Sequence, residues 1–167
     1  QTAQVNTAFG VPLVARVTDT GGNPVSGVTV NFVAAVNADG ASAVLSAPSA
    51  VTDVNGDASV TATANTIASA STYNVTASSA GLTDVNFSVT NEAGPAANIA
   101  LQAGAFGGAT TATINTAFGN FFIRVTDAFD NPIQGETVNF AATTSGGGAI
   151  AIITNASQVT GQDGGNA

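Results

Sequence analysis

The sequence predicts an all-β protein made of two-sheet antiparallel sandwiches. Three observations carry that prediction. Apolar and polar residues alternate with period two along several runs of five to seven residues, the pattern of strands with one buried face. Turn-forming pairs punctuate those runs. No apolar stripe of helical period and useful length occurs in the 167 residues.

Taken in order, the first run sets Leu13, Ala15 and Val17 against Val14, Arg16 and Thr18. Gly21-Gly22-Asn23-Pro24 ends it, with glycine for positive φ and proline to fix the exit. Val28, Val30 and Phe32 then alternate with Thr29 and Asn31. Asp39-Gly40 and Asn55-Gly56 mark further turns, the latter with both residues expected at positive φ. Val60, Ala62 and Ala64 alternate with Thr61 and Thr63, and Tyr73, Val75 and Ala77 with Asn74 and Thr76. After Ala80-Gly81, Val85, Phe87 and Val89 alternate with Asn86 and Ser88. The runs are rich in β-branched residues. Their faces predict a core of Leu13, Val17, Val30, Phe32, Val60, Tyr73, Val75, Phe87 and Val89, with Arg16 and Arg124 in solvent. The Tyr73 hydroxyl is expected either to bond backbone, as in a tyrosine corner, or to sit at an exposed tip.

The chain also repeats itself. "VNTAFG" at 5–10 returns as "INTAFG" at 114–119, an offset of 109. "RVTDTGGNPVSGVTVNF" at 16–32 returns as "RVTDAFDNPIQGETVNF" at 124–140, an offset of 108 that also links "VTDVNG" at 51–56 to "VTGQDG" at 159–164. A period near 108 in 167 residues makes about one and a half units. The organisation predicted is a first repeat over 1–91 without its first strand, a short hinge over 92–94, and a second repeat over 95–167 without its last strands. The window reads as part of a longer tandem array.

Composition excludes whole classes of chemistry. There is no Cys, Met, Trp, His or Lys. Disulfides, thiolate catalysis and the usual zinc and copper ligand sets are therefore out of reach. No activating base stands beside the many Ser and Thr hydroxyls, so no enzyme is expected. A formal net charge of −8 with two Arg cannot neutralise a run of phosphates, which argues against nucleic acid and against anionic lipid. No segment approaches bilayer-spanning length, so direct membrane insertion is not expected.

Several residue clusters remain as candidates. Asp53, Asn55 and Asp57 have the one-three-five spacing of an oxygen-rich calcium loop. A plain hairpin turn explains the same residues better, so calcium is a minor alternative and no cofactor is expected. Asp19 with Asn23, and Asp127 with Asp130 and Asn131, share the other turn, where an aspartate accepts backbone N–H groups. A cation there, shared with Glu92, is likewise the minor alternative. Phe122 falls on the outward face and Phe129 replaces Gly21 in the loop, which makes the pair a contact-patch candidate. Three Asn-x-Ser/Thr triplets, at Asn74, Asn86 and Asn155, are chance matches in so polar a chain.

The motif V-T-D-x-x-x-N-P-V-x-G-V-x-V-x-F, met at 17–32 and again, with Ile and Glu at two places, at 125–140, resembles the bacterial immunoglobulin-like repeats of the invasin/intimin type. "VTDVNGDASVTATA" and "YNVTASSAG" extend the resemblance over nearly the whole chain. The resemblance implies tandem immunoglobulin-like sandwiches in an extracellular bacterial surface protein. Such repeats form stalks that carry adhesive or enzymatic tips, and nothing here matches a receptor-binding tip or an outer-membrane barrel. The function expected is a structural spacer at the bacterial cell surface, possibly assembling into a filament by strand complementation between chains. Its partners would be neighbouring repeats or copies of itself. An adhesive module for a glycan or protein, and a phage decoration domain, are the alternatives.

Overall fold

The computed structural model describes residues 1–101, 113–117, 122–143 and 150–161. The chain divides into two compact units, Gln1–Gly94 and Pro95–Ala167. The fold is all-β and immunoglobulin-like, as the alternation predicts.

In the first unit, one sheet has the order β1 (Thr2–Gln4), β9 (Val85–Glu92), β8 (Tyr73–Ser78), β3 (Thr29–Ala34), β5 (Ser49–Val51). All neighbours are antiparallel except β1 on β9. The facing layer pairs β2 (Leu13–Arg16) with β6 (Asp57–Val60) and β4 (Ala43–Leu45) with β7 (Ala62–Ala64). β6 and β7 are separated by Thr61 alone, and an Ala8–Thr63 bridge ties the chain before β2 to β7.

Period two explains the core. Leu13 and Ala15 of β2 are buried while Val14 and Arg16 are exposed; Val30 and Phe32 of β3 are buried while Thr29 and Asn31 are exposed. Alanines 41, 58, 62 and 64 are buried in the same cluster, so the chain fills its core with many small side chains and few rings. The Phe32 and Phe87 rings stack at 6.5 Å between centroids. Val17 and Phe87, expected inside, are only partly buried at the margin of the cluster.

Tyr73 departs from both expectations. Its hydroxyl is buried and donates to a side chain, Asn91 Oδ1, at 2.7 Å. Asn91, beside the expected hinge, is itself wholly buried, and β9 runs on through Glu92. The Asn91 amide nitrogen donates to Ser42 O, Asn65 Oδ1 and Ile67 O at 2.9–3.1 Å. A buried amide needs such partners to offset its lost hydration.

In the second unit, β10 (Asn98–Leu101) pairs antiparallel with β11 (Ile123–Thr126), and β12 (Thr137–Asn139) with β13 (Ser157–Val159). The register Thr137–Val159, Val138–Gln158, Asn139–Ser157 is that of Thr29–Val51, Val30–Ala50, Asn31–Ser49 moved by 108 residues. The Gly27 N–H to Thr52 O bond recurs as Gly135 to Thr160, and both glycines have φ of 81°. Thr52 Oγ1 accepts from Val28 N–H, and Thr160 Oγ1 accepts from Glu136 N–H, both at 2.9 Å.

Candidate functional site

The charged side chains gather on three loops of one design. Each starts with an aspartate in the sequence Val-Thr-Asp: Asp19, Asp53 and Asp127. In every case Oδ1 accepts the N–H groups two and four residues on, at 2.8–3.0 Å. Asp19 takes Gly21 and Asn23, Asp53 takes Asn55 and Asp57, and Asp127 takes Phe129 and Asn131. The backbone closes each loop by an N–H of the aspartate to the carbonyl four residues on. The fourth residue lies in the left-handed region: Gly22 at 83°, Gly56 at 76° and Asp130 at 65°. A left-handed glycine after such a turn lets the strand pair resume.

The Asn55-Gly56 expectation is corrected here. Only Gly56 has positive φ, because the loop has three residues between its closing pair and needs one left-handed position. Gly56 also sits where a Cβ would come within 2.5 Å of Val17 O. The left-handed Asp130 has no counterpart among the predicted turn residues, and its signal is its alignment with Gly22.

Hydrogen bonding sets the electrostatics. The Asn23 side chain and backbone hold the Asp19 carboxyl below the usual carboxylate range. The Asp57 and Asn55 N–H groups do the same for Asp53. Asp57 is lowered by Arg16, whose Nε and Nη2 donate to its two carboxylate oxygens at 2.7 Å each, and the pair raises Arg16 in turn. Arg16 and Asp57 stand opposite each other in the β2–β6 register, a relationship that needs the pairing of strands 41 residues apart.

The sequence candidates are placed as follows. Asp53, Asn55 and Asp57 do share one loop, but Asp53 Oδ1 is occupied by backbone N–H groups, Asn55 Nδ2 lies 3.4 Å from Asp53 Oδ2, and Asp57 is turned to Arg16. Among the described residues no three acidic side chains come together as a metal site would require. Asp127 and Asn131 are buried, with Asn131 Nδ2 on Asp127 Oδ2 at 2.9 Å. Phe122 and Phe129 are each 43% exposed. Phe106, Phe118 and Phe121, and the partners of Asp53 and Asp57 at Asp163 and Gly165, lie outside the described residues.

A strand edge completes the picture. Val17 donates to Gly56 O and accepts from Val25 N–H, so by alternation the backbone groups of Val14, Arg16 and Thr18 point away from β6. On β11, which carries the equivalent residues, that same edge is taken by β10: Ala97 N–H donates to Thr126 O, and Asn98 Nδ2 to Asp127 O.

No protein-family model matches the chain. Among solved structures it is similar to the D0-D1 domain of intimin, at 24% identity over 99% of this chain and 77% of that one, with a TM-score of 0.43. It is also similar to domains 4–9 of the surface layer protein SbsC, at 18% identity over 89% of this chain and 24% of that one, with a TM-score of 0.36. Domains 5–6 of the same S-layer protein give 18% identity and a TM-score of 0.30.

Proposed function

We propose that this chain is a structural spacer segment of a longer extracellular bacterial surface protein. One observation carries the reading: the polar side chains that could do chemistry are spent on holding loops and strands in place. Asp19, Asp53 and Asp127 clamp their own turns, and Arg16 is bound to Asp57. The same backbone bonds recur 108 residues apart, which is how a repeated mechanical unit is built. The low content of charged residues, 7%, and the absence of Cys and Lys suit an exterior element that resists modification and crosslinking. The experiment is solution scattering on tandem copies of the 108-residue unit. A spacer adds a constant length increment per unit; a radius that grows only as a compact body would defeat the reading.

Assembly into a filament by strand complementation between chains belongs to the same proposal. Open strand edges recruit extended segments. Regular fibres in electron micrographs are the expected result, and a monomer at all concentrations in ultracentrifugation rejects it. A second reading, an adhesive module, rests on Phe122 and Phe129, two large side chains left open to solvent. A glycan or protein array with reproducible hits that vanish in Phe122→Ser and Phe129→Ser would favour it.

A further inference from the structure

We propose that the outer edge of β2 is an acceptor for strand β10 of a second copy of the chain. This rests on the assembly reading and assigns it a donor, an acceptor and a register.

The two units show one strand position in two states. On β11 the edge is covered by β10, and there Val125 is 5% exposed and Thr126 is buried. On β2 the equivalents Val17 and Thr18 are half-buried and exposed. The backbone N–H and C=O groups of Val14, Arg16 and Thr18 face outward along this edge, an unblunted template for one more strand. Neither proline nor lysine guards it, and the Arg16 charge is neutralised by Asp57.

The donor is poorly held where it is. All four residues of β10 are exposed, Ile99 at 63% and Leu101 at 54%. Both point to the same side as Val125, because Ile99 stands opposite Val125 and Leu101 opposite Ile123. Among the described residues of the second unit, no strands of the β8–β9 kind cover that side. In the first unit they do: β9 and β8 form a complete sheet facing β2. Moving β10 from β11 to β2 of another copy keeps the number of ladder bonds and leaves one β11 edge open. What it gains is cover for Ile99 and Leu101, together with the margin at Val17. The driving force is thus apolar burial, and the register follows from β10–β11: Ile99 opposite Val17, Ala100 opposite Arg16.

The chain has no cysteine, so single thiols report pairing cleanly. Val17→Cys and Ile99→Cys are made separately in the full chain, mixed and oxidised. The expected product is the Val17→Cys–Ile99→Cys heterodimer, well above its share from random collision, because a disulfide between the two variants forms only between copies. A random mixture, no dimer, or an excess of Val17→Cys homodimers from edge-on-edge pairing would overturn the proposal. If either variant fails to fold, amide exchange in the unaltered protein decides. Val14, Arg16 and Thr18 exchange more slowly as protein concentration rises if β10 docks, and at constant rate if it does not. Either failure leaves the length increment of the spacer reading untouched, so the two stand or fall separately.

Discussion

The Tyr73 hydroxyl donates to Asn91 Oδ1 at 2.7 Å inside the sandwich, and Asn91 passes the connection on to Ser42, Asn65 and Ile67. One side chain thereby joins β8 to the end of β9 and to two loop carbonyls. Asn91→Ala leaves the hydroxyl and those acceptors without a donor or acceptor in a dry site. Unpaired buried groups cost about 1–3 kcal/mol each, so the loss of stability is expected at about 2–4 kcal/mol. Tyr73→Phe strands only Asn91 Oδ1 and is expected to cost about 1–2 kcal/mol. Urea denaturation followed by far-ultraviolet circular dichroism measures both; equal or negligible effects would contradict the network.

Stability falls at both ends of the pH scale for opposite reasons. Burial pushes the Tyr73 phenol up to about 12, against about 10 in an unfolded chain. A raised pKa favours the protonated form in the fold, so its contribution is full below about pH 10 and is lost as pH climbs towards 12. Tyr73 is the only tyrosine, so tyrosinate absorbance tracks it directly. Asp19, Asp53 and Asp57 are depressed. Their contribution is present above about pH 4, the ordinary carboxylate value, and is lost as pH falls through their lower folded values. The melting temperature is expected to drop below about pH 4, and less steeply in Asp53→Asn.

Glycine matters unequally in the three loops. At Gly56 a side chain meets both a left-handed φ and Val17 O at 2.5 Å. At Gly22 only the left-handed φ applies, with nothing within 4 Å of the added Cβ. The conformational part is worth about 1–2 kcal/mol. Gly22→Ala should cost that much, and Gly56→Ala clearly more, since backbone has to shift. Asp130→Gly relieves the same strain and should stabilise the second unit by up to about 1 kcal/mol. Thermal unfolding of the three variants gives the order.

Calcium should leave the melting temperature unchanged. Asp53 Oδ1 already receives two N–H groups and Asp57 is bidentate with Arg16, so a cation would have to break bonds the fold uses. Calorimetric scans with added calcium and with chelator test this; a rise of several degrees with calcium would restore the metal reading.

Phe122→Ser and Phe129→Ser should change stability little, because both side chains are substantially exposed. A contact patch predicts reduced self-association or partner binding at unchanged melting temperature. Sedimentation velocity separates the two effects, and a large loss of stability would instead make these rings part of the packing.

Much of the fold was legible in the chain because a half-buried strand writes its two faces into alternate residues. Leu13, Val30, Phe32, Val60, Val75 and Val89 were assigned to the core from that alternation alone, and all are buried. The 108-residue offset likewise determined which residues share a structural role, and Thr29–Val51 and Thr137–Val159 pair in one register. Tertiary structure decided what depends on distance across the chain. Arg16 finds Asp57 only when β2 lies beside β6. Asn91 looks like a polar boundary residue until the fold closes over it and Tyr73 supplies its donor. Val17 and Val125 are the same residue in the same motif, yet one is half-buried and the other covered. The reason is physical: local sequence sets a residue's face, but its burial depends on which strand comes to lie at its edge.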